Sequence, residues 1–467
     1  MSSLRRRSGV DIVSGPLMKN IFLFAVPIIL SGVLQMLFNA ADTAVVGRFG
    51  SPTALASVGS TGSLTHLIIN AFLGMSVGAG VAVAQGIGAD RTQEVRETVR
   101  TSVTLSLICG VIVGFIGYMF SPVFLRWMGS PADVIDGAAQ YMRTYFLGMP
   151  AVMLFNFGSS ILRSMGDTRR PLYFLLASGG VNVVLNLIFV IPLHMDVVGV
   201  ALATVISQCG AAVLVMLCLL RLPEDVRLDL RRLGVNGQCL AKIVRIGLPA
   251  GLQSCLFSFS NVILQSSVNS LGSAAVSANA AVTNLDNIIY IAMNGVSQSA
   301  TTFAGQNYGA RNIRRVRRTM TDSSALTAVV GAGMGGLCWL LADPLLGLFT
   351  ADAQVIEIAK GRMAVTMATY MLCGLMEIFS STLRGMGRSV LPMVVSLLGV
   401  CGVRLSWIFF YFPTHRTLAQ LYISYPLSWL ATAAVHLIFC LIVLKKEQNH
   451  VDSDLSRVRG ESVCAGE

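Results

Sequence analysis

A dozen apolar runs, each long enough to cross a bilayer, constrain this chain more than any other feature. They fall near 20–46, 55–86, 101–124, 135–162, 171–192, 196–220, 241–270, 275–306, 320–345, 354–383, 391–412 and 418–444. A spanning helix needs about 20 apolar residues, and only helices or closed barrels satisfy their backbone polar groups in hydrocarbon. Runs this long exclude barrel strands. The expectation is an all-α polytopic membrane protein. Composition agrees, because only 12% of residues are charged and mean hydropathy is +0.70, against about 25% charged in soluble domains.

The runs repeat at an offset of 221 or 222 residues. Pro27 matches Pro249, Gly50-Ser51 matches Gly272-Ser273, and Gln85, Gly88 and Ala89 match Gln306, Gly309 and Ala310. Pro122 matches Pro344, Leu162-Arg163-Ser164-Met165-Gly166 matches Leu383-Arg384-Gly385-Met386-Gly387, and Pro171 matches Pro392. Colinear matches at a constant offset mark a duplicated unit. The expected organisation is twelve transmembrane helices in two pseudo-symmetric six-helix bundles: 1–220, a cytoplasmic linker 221–240, 241–445, and a disordered cytoplasmic tail 446–467. Six spans per half give both halves one polarity, as in parallel-repeat carriers that work by alternating access.

Charge sets the orientation. Of 34 Lys and Arg, 27 lie on the side that holds both tails and the 221–245 segment. Six lie opposite (Arg48, Arg126, Arg143, Lys360, Arg362 and Arg416), and Arg404 falls inside a span. The positive-inside rule then places both termini in the cytoplasm, in a cytoplasmic (inner) membrane. Arg5-Arg6-Arg7 before an apolar run looks like a secretory signal, yet that run far exceeds a signal core, so a retained first helix is expected. The net charge of +11 is dispersed in short juxtamembrane tracts, which argues against nucleic acid as a partner. Ten cysteines sit mostly in apolar runs without CxxC spacing, which points to neither a disulfide frame nor a zinc site. No Walker, Ser/His/Asp or H-E-x-x-H pattern occurs, so the chain is not expected to be an enzyme.

Polar residues inside spans are functional candidates by default. Gln35, Asn39 and Asp42 share one face of the first helix, which must look into a cavity. Asp42 stands against Leu264 in the repeat, so the scaffold does not need a carboxylate there. Asn182 and Asn186 share a face of span five, and Thr204 lies on span six. Residue counting puts Asp42 roughly 10 Å further out than these three, a gap that tilt or a bend at Pro27 would narrow. Asp286, Glu377 and Arg404 are peculiar to the second half, and the simplest expectation pairs Arg404 with one of the two carboxylates. The other carboxylate would remain as a substrate-cation or proton site.

The Asp42-Thr-Ala-Val-Val-Gly-Arg-Phe-Gly close of the Pro27 helix, the Gln-x-x-Gly-Ala closes of spans two and eight and the paired Leu-Arg-x-Met-Gly turns occur together over residues 15–445. In these the sequence resembles the multidrug and toxic compound extrusion (MATE) family. The resemblance implies an antiporter that exports bulky, often cationic organic compounds, driven by H⁺ or Na⁺, with no cofactor beyond that ion. The partners it implies are the lipid bilayer and small organic substrates, with the chain acting as a monomer. It looks more DinF-like than NorM-like, because the NorM-like acidic positions fall near Phe257 and Cys373. The DinF-like cation site maps onto Asp42, Asn182, Asn186 and Thr204, with Asn156 nearby. Asn186 stands where some members carry Asp, which leaves one carboxylate and inclines the reading toward H⁺. The alternative is a flippase for lipid-linked precursors, for which several cavity-facing Arg or Lys would be expected.

Overall fold

The computed structural model describes residues 10–51, 53–128 and 131–464; Arg5-Arg6-Arg7 lies outside them. Helices α1 (Leu17–Phe49), α2 (Ala54–Gly88), α3 (Thr92–Trp127), α4 (Ala132–Leu147), α5 (Met149–Ser164), α6 (Arg169–Val190) and α7 (Asp196–Leu220) form the first half. In the second half α8 (Gly237–Asn269), α9 (Ser273–Gly309), α10 (Ile313–Leu340), α11 (Ala342–Gly347) and α12 (Ala353–Gly385) follow. Next come α13 (Val390–Ser396), α14 (Val403–Ser406), α15 (Leu418–Tyr422) and α16 (Ser424–Cys464). The expected all-α fold with repeated halves is what the chain adopts.

Among the described residues ten helices are long and apolar enough to span a bilayer, and α4 with α5, bent by 50°, makes an eleventh. That bend falls at Gly148, where Pro150 opens α5 without an N–H to give. Helix α9 is not among these, and several of its polar groups are used inside the protein. The hydroxyls of Ser297 and Ser381 meet at 2.6 Å, and a second cluster surrounds Asp286.

The repeated turns have a common backbone cause. Gly166 and Gly387 have φ of 94° and 82°, a conformation that side chains with a Cβ resist. After each, an amide reaches back to close the helix: Asp167 N to Leu162 O at 3.0 Å, and Arg388 N to Leu383 O at 2.9 Å. Both are Schellman-type ends.

Two compact units result. Among the described residues one comprises 10, 26–87 and 91–255, and the other 11–25, 88–90 and 256–464. Within the first, Gly74 and Gly78 let α2 lie backbone to backbone on Gly251 and Gly247 of α8, the close packing that small residues permit in membranes. In the second, Phe24 packs edge-on against Phe303, with ring centres 5.4 Å apart.

The structure departs from expectation in the tail. Helix α16 continues to Cys464, past residue 445, where disorder is expected. Ion pairs hold it to its own unit: Arg388 to Glu447 at 2.6 Å and Arg311 to Asp454 at 3.2 Å.

Candidate functional site

The first unit gathers one carboxylate and three neutral polar residues from three helices. Helix α1 supplies Asp42, α6 supplies Asn182 and Asn186 one turn apart, and α7 supplies Thr204. Asn186 is fully buried, Asn182 nearly so, and Asp42 half-buried. Asn186 Nδ2 donates to Asp42 Oδ1 at 2.5 Å and shares a longer 3.3 Å contact with Asn182 Oδ1. Asn182 Nδ2 donates to Thr204 Oγ1 at 3.3 Å, and that hydroxyl donates to Val200 O at 3.0 Å.

This contact corrects the residue counting, which sets Asp42 roughly 10 Å beyond the asparagines. Counting assumes straight helices along the membrane normal, whereas α1 carries Pro27, and tilt and bend shift depth by several ångströms.

The cluster suits a small cation. Asn186 Oδ1 is buried with no protein partner among the described residues. A half-turn of the amide exchanges Nδ2 for Oδ1, so one side chain either donates to an ionised Asp42 or offers an oxygen to a cation. With Asp42, Asn182 Oδ1 and Thr204 Oγ1 the set is all oxygen, the preference of hard cations. Two tyrosines that the sequence did not single out, Tyr141 and Tyr145 of α4, are electrostatic neighbours of Asp42 and stack at 6.1 Å.

The other first-half candidates do not join. Asn156 Nδ2 donates to Val152 O of its own helix at 2.8 Å. Gln35 and Asn39 are exposed on α1, on the same helix as Asp42.

In the second unit the expected pairing of Arg404 with a carboxylate does not occur. Asp286 instead pairs with Arg362, whose guanidinium is almost wholly buried. Arg362 lies nine residues into α12, about 14 Å along the helix, rather than in the loop where the charge count had put it. Its Nη1 donates to Asn279 O at 2.7 Å, Asn279 Oδ1 at 2.8 Å and Thr283 Oγ1 at 3.1 Å. The Tyr422 ring lies 4.0 Å from the guanidinium carbon, and Tyr422 Oη donates to Asn279 Oδ1 at 2.6 Å. Asn279, Thr283 and Asp286 fall at i, i+4 and i+7 on α9. That stripe was readable in the sequence; its partner was not.

Glu377 is half-buried, with Arg384, Tyr290 and Cys373 as electrostatic neighbours. Arg404 donates from Nε to Ser428 Oγ at 3.2 Å and from Nη1 to Asn261 Oδ1 at 3.5 Å. It lies 3.7 Å from the Tyr425 ring centre.

Comparison with known proteins follows the same two-part plan. The MatE family model matches residues 27–188 and 249–409, segments set apart by the offset seen in the sequence. The Probable multidrug resistance protein YoeA of Bacillus subtilis is 28% identical over 440 residues, 92% of this chain and 95% of that protein. The Multidrug export protein MepA of Staphylococcus aureus is 23% identical over 386 residues, 81% and 84% of the two chains. A MOP superfamily transporter from Pyrococcus furiosus superposes with a TM-score of 0.87 at 23% identity, covering 94% of this chain and 98% of its own.

Proposed function

This chain belongs to the MatE family, and on that premise we propose that it is a multidrug exporter that exchanges bulky organic compounds for an inward-moving cation held at Asp42. The observation that carries the reading is the Asp42–Asn186 contact inside the Asn182/Thr204 cluster. A lone carboxylate in a membrane span is costly unless it is used, and here its repeat partner is Leu264. The relatives named for multidrug resistance and export support the substrate class. The flippase reading gains no support from the family match.

The coupling ion in this reading is H⁺. A proton needs one carboxylate, and the cluster holds one. Asp42 neutralised by a proton on one side of the membrane and ionised on the other has different affinities for the two states of an alternating-access cycle. That difference is what converts the gradient into export. In this reading the chain sides with the DinF-like branch, since Phe257 and Cys373 stand near the NorM-like acidic positions, and it acts as a monomer in the cytoplasmic membrane with both termini inside.

The experiment is dye efflux from proteoliposomes with ΔpH or ΔNa⁺ imposed separately. Wild type should respond to ΔpH, and Asp42→Asn, which removes charge at constant volume, should lose gradient-driven export while still folding. Wild-type export by Asp42→Asn at equal protein would sink the assignment. A wild type that ignores ΔpH and follows ΔNa⁺ would make Asp42 a sodium ligand.

A further inference from the structure

Among the described residues Arg404 is a buried cation with no ion-pair partner, one residue beyond the repeat counterpart of Asn182. By the 221 or 222 offset, Asn261 answers to Asn39, Arg404 to Val183, Tyr425 to Thr204 and Ser428 to Ser207, while Asp42 answers to Leu264. The position of Asp42 is thus a leucine in the second unit, and a guanidinium enters instead from the neighbour of the residue that answers to Asn182.

The two buried arginines of the second unit differ in the partners they have. Arg362 has a carboxylate, three oxygen acceptors and an aromatic face. Arg404 uses two of its five N–H donors, on the neutral Ser428 and Asn261, and rests on the Tyr425 ring. Among the described residues it forms no ion pair: Asp286 is taken by Arg362, and the cation neighbouring Glu377 is Arg384. Its surroundings open on one side, since Asn261 is exposed and Tyr425 half-buried. The Tyr425 hydroxyl points to the same Asn261 oxygen, at 3.4 Å.

The backbone is unusual at the same place. Arg404 sits in the single α-turn between two π-helical stretches, Leu397–Gly402 and Trp407–Tyr411. Such stretches are rare and cluster at functional sites. A planar fork with unused donors, desolvated and lying on an aromatic ring, matches the two oxygens of a carboxylate or phosphate.

We propose that Arg404, Asn261, Tyr425 and Ser428 form a recognition site for an oxyanion, carboxylate or phosphate ester, carried by the transported compound. The cargo then includes anionic or zwitterionic molecules as well as cations. This deepens the exporter reading, and because binding is read at equilibrium without a gradient, its failure is separable from failure of coupling at Asp42.

The test uses the full-length protein in phosphatidylcholine nanodiscs and two matched pairs: 1-naphthaleneacetate against its methyl ester, and riboflavin 5′-phosphate against riboflavin. At least one anion should bind about tenfold tighter than its neutral partner, the scale of a charge-assisted fork. Arg404→Gln should abolish that preference while leaving the neutral compound unchanged, and Arg404→Lys should restore part of it. Equal binding of anion and neutral partner, or no binding of either anion, overturns the proposal. So does a preference that survives Arg404→Gln, or a loss that is equal for both members of a pair, which is the signature of a packing role. Should Arg404→Gln fail to fold, Asn261→Leu at its exposed position carries the test: loss of anion preference supports the site, and retention overturns it.

Discussion

Removing the Asp286 carboxylate should destabilise the second unit sharply, and removing its arginine as well should cost less than the sum of the two single losses. Arg362 is 2% exposed, so Asp286→Leu strands a guanidinium that water cannot reach. Breaking a buried pair by deleting one partner costs about 3–5 kcal/mol. The low end is expected here, about 3 kcal/mol, because Nη1 keeps Asn279 O, Asn279 Oδ1 and Thr283 Oγ1, and the Tyr422 ring remains 4.0 Å away. Arg362→Met leaves the Asp286 side chain, 15% exposed, with a route to water, so about 2 kcal/mol is expected. In Asp286→Leu/Arg362→Met no charge is left buried. The remaining cost, about 1–3 kcal/mol, comes from the unpaired Asn279 and Thr283 groups. The cycle should therefore show a coupling of about 2–4 kcal/mol. Reversible SDS unfolding of the full-length protein, read for wild type, both single variants and the double, measures it. Additivity within about 0.5 kcal/mol would refute the reasoning, as would a single Asp286→Leu variant as stable as wild type. Export by the double variant at near wild-type rate would further assign the pair to stapling α9 to α12 rather than to transport.

Asn186→Asp adds a hard anionic oxygen beside Asp42 and should strengthen Na⁺ dependence while weakening export driven by ΔpH alone, as read by dye efflux under each gradient; unchanged ion preference would count against the cluster as the cation site. A single cysteine at exposed Gly234, in a background stripped of the native ten, should react with an impermeant maleimide only in inside-out vesicles, and labelling of intact cells would invert the topology. Gly166→Ala and Gly387→Ala each force a Cβ into positive φ, 94° and 82°, and each should cost about 1–2 kcal/mol by SDS unfolding; no loss at either would mean the turn relaxes without strain.

Much of this architecture was present in the sequence because its causes are local. A bilayer demands long apolar helices whatever they pack against, so the runs mark the spans. The paired Leu-Arg-x-Met-Gly turns mark equivalent helix ends because only glycine sits easily at their φ. Asp42, Asn182, Asn186 and Thr204 also stood out singly, since hydrocarbon penalises each polar side chain by itself. Only the family resemblance grouped these four, and nothing joined Asp286 to Arg362: the residues by themselves did not determine which polar groups meet. That depends on the tilt and rotation of helices far apart in the chain, which hydropathy does not record. Counting rises along straight helices separated Asp42 from Asn186, and packing brought them to 2.5 Å. The charge count set Arg362 on the outer side although it lies inside the 354–383 run, and α12, which starts at Ala353, carries it to Asp286. With that carboxylate taken, Arg404 is left on Tyr425 without an acid. Only the tertiary structure decided that, because pairing within a dry interior is settled by which side chains helix packing brings within reach of one another.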